Sequence, residues 1–260
     1  MRHIVTFALA SLLLATRTQA AMVSSTVEYT IGDQQFSSVL VHDDSVKTQR
    51  PGLVMFPNWY GMNEGQIEKA KAIAGKDFII LVADVYGAGT RPKNDEEAGA
   101  AAKAMYADRS VLRARANAAL AALRKQSGKL SLDTEHIGAI GFCFGGATAL
   151  DLARSGADID GVVSFHGNLS TDDPALAANI KGRVLALNGA DDSYVPAEQI
   201  QAFQKEMRDA KVDWQFVNHG GAVHCFAEAD AKTPPGCLYN ERAARRSFKL
   251  MRDFFAEAFH

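Results

Sequence analysis

A surplus of basic residues is missing from this 260-residue chain: 28 Lys and Arg stand against 30 Asp and Glu, a formal net charge of −2. That balance sets aside nucleic-acid binding, which calls for a positive excess. Proline is scarce at 7 residues, and the 21 glycines are not gathered into any low-complexity stretch, so no linker divides the chain. Long hydrophobic runs are missing too. The most extended, Ile4 to Ala15, covers about a dozen residues, short of the roughly 20 that cross a bilayer. What the chain does have is 47% hydrophobic and 22% charged residues, enough to bury a substantial core and to exclude intrinsic disorder. One globular domain over 21–260 is expected.

The short apolar run sits between a basic start, Met1-Arg2-His3, and the small-residue stretch Thr18-Gln19-Ala20-Ala21. This order describes a secretory signal peptide over residues 1–20, cleaved after Ala20. The expected product is exported, periplasmic or secreted, and not membrane-bound once the leader is gone. Cysteine usage is sparse, with only Cys143, Cys225 and Cys237. In an oxidising compartment an odd number leaves at least one thiol free. Cys225 and Cys237 lie across the turn-rich Thr233-Pro234-Pro235-Gly236, which makes a disulfide between them a candidate.

Apolar, β-prone runs alternate with helix-patterned stretches along the rest of the chain. Thr26–Ile31 and Phe36–His42 alternate polar and apolar residues, as an antiparallel hairpin does. Runs at 53–56, 78–82, 137–141, 161–165, 183–187 and 214–217 are short and mostly apolar, which suits strands buried on both faces of a parallel sheet. Helices are predicted at Glu64–Ala74, Asp95–Ala107, Ser110–Gln126, Gly145–Arg154, Ala197–Ala210 and Asn240–Phe259. The pattern is that of an α/β protein with a mostly parallel, doubly wound sheet of about eight strands and helices on both faces.

Gly141-Phe142-Cys143-Phe144-Gly145-Gly146 follows a predicted strand and opens a predicted helix. A sharp strand-to-helix turn of this G-x-nucleophile-x-G form holds its central residue in a strained backbone conformation, and flanking side chains would collide with neighbouring backbone. Cys143 is therefore the candidate nucleophile. The helix N-terminus behind it favours a thiolate, and the amide of Phe144 points where an oxyanion would form. A buried structural cysteine is the plainer alternative. An elbow nucleophile is followed in the chain by an acid and then a histidine. Asp191 and Asp192 follow the strand ending at Leu187, and His219 and His224 lie in the glycine loop Asn218–Phe226. Spacing alone leaves both choices open.

From about Pro51 onward these residues resemble the dienelactone hydrolases of the α/β-hydrolase superfamily. The likeness rests on the 141–146 motif, on Gly189, Asp192, Val195 and Pro196 in a Gly-x-x-Asp-x-x-Val-Pro pattern, and on His224-x-Phe226 followed by Tyr239-Asn240-Glu241 with Ala243, Ala244 and Ser247. The resemblance implies Cys143 as nucleophile, His224 as general base and acid, and Asp192 as the group orienting the imidazole. It also implies an oxyanion hole from the backbone amides of Phe144 and Trp59. The implied activity is hydrolysis of a small-molecule ester or lactone, without a cofactor.

Departures from the family pattern bear on the substrate. Asn58 stands where members commonly carry a glutamate associated with the protonation of the cysteine, so activation of Cys143 is expected to rest more directly on His224. Arg91 is the candidate replacement for an arginine that grips a substrate carboxylate, whereas Glu228 would repel one. A neutral ester or lactone is accordingly expected at least as readily as dienelactone itself. Tyr60 and Tyr86, in the turn 56–61 and at the strand end 84–86, are further candidate pocket residues with Asn58 and Arg91. His166 either borders the pocket or is a hydrogen-bonded structural histidine, the latter being the plainer reading. His219, His224 and Cys225 crowd one loop with no partner pair elsewhere, so no metal site is expected. Gly87-Ala88-Gly89 lacks dinucleotide-binding spacing. Two other readings of the same fold are an acyl or thioester transferase and an exported, non-catalytic ligand-binding protein.

Overall fold

A computed structural model describes residues 22–260; the leader expected over residues 1–20 lies outside the described residues. The predicted hairpin is present as β1 (Met22–Ile31) and β2 (Gln34–Asp43), paired antiparallel. Then follow β3 (Arg50–Phe56), α1 (Glu64–Ala74), β4 (Ile79–Val82), α2 (Asp95–Ala107), α3 (Arg109–Arg124), β5 (Leu132–Phe142) and α4 (Phe144–Arg154). After these come β6 (Gly161–Phe165), β7 (Arg183–Gly189), α5 (Ala197–Asp209), β8 (Trp214–His219), the short strands β9 (Lys232–Thr233) and β10 (Cys237–Leu238), and α6 (Glu241–Ala258).

One eight-stranded sheet runs in the order β1-β2-β4-β3-β5-β6-β7-β8. Beyond the antiparallel β1–β2 and β2–β4 pairs, every neighbour is parallel. The strict alternation of side chains along a strand divides the core into two layers. In β3, Val54 and Phe56 pack into the layer shared with Leu120 of α3, Leu150 of α4 and Phe203 of α5. Leu53 and Met55 enter the opposite layer with Ile73 of α1 and Met251 and Phe255 of α6. Strands flanked by helices on both sides have no solvent face, which is why they read as unbroken apolar runs.

Side-chain caps set several helix starts. Asn63 accepts from the amide of Gln66, Asn94 from Glu97, Asp108 from Ser110 and Val111, and Asn240 from Ala243. Helix α4 begins one residue before the predicted start, because Cys143 itself occupies the capping position. The hairpin of β9 and β10 and a 3-10 turn at Pro174–Asn179 add to the predicted elements. Two-residue strands are too short to give a periodic signal. Cys225 and Cys237 are joined in a disulfide that ties this hairpin to the segment after β8, leaving Cys143 as the free cysteine.

Candidate active site

The turn between β5 and α4 is as tight as its glycines imply. Cys143 has φ 54° and ψ −117°, in a region that residues with side chains rarely adopt. A Cβ on Gly141 would lie 1.9 Å from the carbonyl oxygen of Gly145, and one on Gly145 would lie 2.0 Å from that of Phe56. Both obstacles are backbone and cannot step aside. The strained residue is anchored by its own amide, which donates to Phe165 O at 3.0 Å, and by its carbonyl, which accepts from Gly146 at 2.9 Å.

Two loops from the same end of the sheet reach Cys143. The first leaves β7 at Gly189 and carries Asp192, whose Oδ1 accepts from the amide of Tyr194 at 2.8 Å. The second follows β8 and carries His224. Nδ1 of His224 lies 2.7 Å from Asp192 Oδ2, and Nε2 lies 3.1 Å from Cys143 Sγ. The ambiguities left by spacing close here. Asp191 is exposed, while Asp192 is buried against the imidazole. His219 faces α6, with Nε2 2.8 Å from Ser247 Oγ.

Burial by itself pulls the His224 pKa down, but the hydrogen bonds to Asp192 and Cys143 outweigh it and push the imidazole up to about 10. The imidazole is further held by the amide of Leu238, which donates to His224 O at 3.1 Å, and by the disulfide that begins at the next residue.

The backbone amides of Phe144 and Trp59, residues that share a cavity with Cys143, donate to no acceptor among the described residues. The Trp59 turn is fixed from behind. The buried Tyr86 hydroxyl donates to Trp59 O at 2.9 Å, and its ring stacks on Phe144 with centroids 5.3 Å apart. Trp59, Ala102, Tyr106, Phe144, Tyr194 and Val195 line a cavity of about 300 Å³ beside Cys143, His224 and the Cys225–Cys237 disulfide, with Asn168 also at its wall.

Several expected pocket residues lie elsewhere. Asn58 and Tyr60 line a separate cleft on the α1 and α6 side. Tyr60 reaches Asp95 with its hydroxyl, and Asn58 binds Glu228. Arg91 turns away from Cys143 to pair with Asp84 at 3.0 Å and to donate to Gly87 O at 2.8 Å. Asp84, held by the β2 amide of Ser37, fixes the guanidinium there, so Arg91 does not replace a carboxylate-gripping arginine. Glu228 is buried and paired with Lys69, which neutralises the repulsion expected of it. Tyr86 braces the cavity from behind without lining it.

His166 is fully buried and is neither a pocket residue nor hydrogen-bonded: both ring nitrogens lack a partner among the described residues. Its ring meets that of His224 edge-on, centroids 5.2 Å apart. Burial first, then the neighbouring charges of His224 and Lys69, hold its pKa well below the ordinary value. The metal-like trio of the His224 loop is dispersed, since His219 binds Ser247 and Cys225 is oxidised.

Sequence reasoning missed Ala102 and Tyr106, which α2 brings to the cavity, and Asn168, which follows β6. A signal existed for Asn168, because residues just past the carboxyl ends of parallel strands form the sites of open α/β sheets. None existed for α2, whose approach depends on tertiary packing.

Comparisons with known proteins agree with this architecture. A solved structure named m3DLH is 38% identical, with a TM-score of 0.85, covering 92% of this chain and 99% of its own. The crystal structure of a dienelactone hydrolase-like promiscuous phosphotriesterase from metagenomic libraries is 37% identical, with the same TM-score of 0.85 and the same coverage of 92% and 99%. An uncharacterized protein of Caenorhabditis elegans is 35% identical over 160 residues, 60% of this chain and 99% of its own length. Matches to several bacterial proteins named for carboxymethylenebutenolidase activity span about half of those proteins. The sheet order and its flanking helices are those of the α/β-hydrolase fold. Since the sequence profile of the dienelactone hydrolases matches residues 36–259, nearly the whole described chain, the protein belongs to the dienelactone hydrolase family.

Proposed function

We propose that this chain hydrolyses small esters or lactones through an acyl-enzyme on Cys143. The observation that carries the reading is the unbroken contact from Asp192 to His224 to Cys143, at 2.7 and 3.1 Å. With its pKa raised to about 10, His224 holds a proton at neutral pH, and at 3.1 Å it is placed to pair with the sulfur as the attacking thiolate forms.

The sulfur attacks the substrate carbonyl, and the negative charge that moves onto the carbonyl oxygen meets the amides of Phe144 and Trp59. Such a donor contributes about 3 kcal/mol to transition-state stabilisation. As the intermediate collapses, the C–O bond breaks and the imidazolium gives its proton to the departing alkoxide. A lactone opens in the same step and keeps its alcohol tethered. Neutral His224 then takes a proton from water as that oxygen attacks the thioester, and the thiolate leaves with the imidazolium restored. Asp192 keeps Nδ1 protonated and the ring in register throughout.

The test is a panel of activated esters and lactones, with an activated phosphotriester added because one relative is named for that activity. Cys143→Ala is expected to abolish turnover; activity equal to the parent overturns the assignment. An added amine or thiol that captures the acyl group in place of water would identify a transferase. Export belongs to the same proposal, supported by the disulfide, which suits an oxidising compartment. A mass spectrum of the protein from its natural host starting at Ala21 supports it, and one starting at Met1 rejects it.

A further inference from the structure

We infer, resting on the reading of Cys143 as acyl acceptor, that the cavity selects an uncharged, apolar or aromatic acyl group and discriminates against one bearing a carboxylate. The walls carry this. Trp59, Tyr106 and Phe144 present aromatic surface, Ala102 and Val195 add aliphatic surface, and the disulfide closes the side next to His224. No Lys, Arg, Asp or Glu lines the cavity among the described residues.

Three cations on the segments around these walls already have a carboxylate, and Arg115 is engaged by the carbonyls of Val85 and Tyr86 and by Gln34. Arg91 is paired with Asp84 at 3.0 Å, Lys69 with the buried Glu228, and Arg109, 5.0 Å from the Tyr106 ring centre, with Asp151 at 2.9 Å. Redirecting Arg91 or Lys69 to a substrate would leave a buried carboxylate unpaired, and redirecting Arg109 would leave the buried Asp151 with Arg154 alone, at 3.5 Å. The reacting groups offer no counter-charge either. The His224 imidazolium is already taken up by the Asp192 carboxylate, whose Oδ2 lies 2.7 Å from Nδ1. Asn168 does not alter this. Its Oδ1 accepts from the Ser170 amide at 2.8 Å and from the Ser170 hydroxyl at 2.7 Å, and its remaining NH2 group is neutral. An apolar acyl group loses no hydration partner on entry, whereas a carboxylate loses water and gains no ion pair.

Two esters of matched shape test the inference: the p-nitrophenyl monoester of adipic acid, and the analogue in which an isopropyl group replaces the terminal carboxylate. After correction for spontaneous hydrolysis, kcat/KM is expected to favour the isopropyl ester by at least about tenfold. Equal rates, or preference for the anion, overturn the inference. Tyr194→Lys places a cation at a wall position that is 61% exposed, where folding tolerates it. It is expected to shift the ratio toward the anionic ester at low salt, and the shift is expected to shrink as salt is added. An unchanged ratio rejects the electrostatic account, and the ratio does not depend on how much of the variant folds. Should neither ester turn over, hydrolysis itself fails, and selectivity is read separately by titrating the Trp59 fluorescence of a Trp214→Phe variant with both esters. Tighter binding of the neutral ester still supports the inference, and equal or tighter binding of the anion rejects it.

Discussion

Asn58 and Glu228, 170 positions apart in the chain, meet through a hydrogen bond in which Asn58 Nδ2 donates to Glu228 Oε1 at 3.3 Å. Asn58 Oδ1 accepts from the amide of Tyr60 at 3.2 Å, so the same side chain shapes the turn that presents Trp59. Glu228 is paired in turn with Lys69, whose ammonium stands 4.3 Å from the centre of the Phe142 ring. The turn carrying one proposed oxyanion donor and the loop carrying His224 are thus one polar unit.

Asn58→Leu should therefore lower kcat by about tenfold with little change in KM, because a donor displaced by a fraction of an ångström is felt in the transition state. It should also cost about 1–3 kcal/mol of stability through the orphaned Glu228 oxygen. Steady-state kinetics and urea unfolding of the one variant check both. An unchanged kcat would break the link between the two loops.

The touching rings of His224 and His166 titrate to opposite sides of neutrality, and each gives a signed expectation. For His224 the folded pKa, about 10, exceeds the ordinary 6.5, so its stabilising contribution is complete below pH 6.5 and is lost as pH rises through 10. His166 is held well below 6.5, so on acidification the unfolded chain takes up a proton that the folded chain refuses, and stability falls below pH 6.5. Thermal unfolding across pH should show both limbs, with His224→Gln flattening the alkaline limb and His166→Phe the acid one. Ester hydrolysis should fade as pH passes 10.

Cys225 directly follows His224, and its partner Cys237 precedes Leu238, whose amide holds the His224 carbonyl. Replacing both cysteines with serine should cost about 3 kcal/mol in stability, the chain-entropy value for a short loop. It should also lower kcat more than KM, since the loop that orients the imidazole is loosened. Differential unfolding and kinetics of the double variant, beside parent protein treated with a mild reductant, provide the check.

At the end of α4, the fully buried Arg154 donates to both oxygens of Glu206 at 2.8 Å and to Leu169 O at 3.0 Å. Arg154→Met leaves Glu206 buried and alone, at an expected cost of about 3–5 kcal/mol. Adding Glu206→Leu should recover most of that loss, measured as midpoints of denaturant unfolding.

Much of the fold was legible because the physics is local. Leu53–Phe56 and Ile79–Val82 lie between two helical layers and carry that fact as unbroken apolar runs. The elbow was legible because crowding at Gly141 and Gly145 leaves a spacing in the chain. The choice between His219 and His224 was not readable from spacing, since His219 ends β8, His224 lies in the loop that follows, and only the approach of Ser247 on α6 takes up the first. Arg91 misled for a related reason: its partner Asp84 is fixed by the β2 edge, and nothing in a linear string tells which acid a long, flexible arginine will find. The wall supplied by α2 was silent, because alanine and tyrosine in a helix read alike whether they face a cavity or a core.

The crowding at Gly141 and Gly145 is backbone against backbone, whereas Ala102 and Tyr106 come from α2 and Val195 from the segment after β7. Tailoring what the enzyme accepts is consequently a matter of furnishing, not of foundations. Libraries that diversify positions 102, 106 and 195 can remodel the chamber around an unmoved sulfur, and those that touch 141–146 will mostly recover chains that no longer fold.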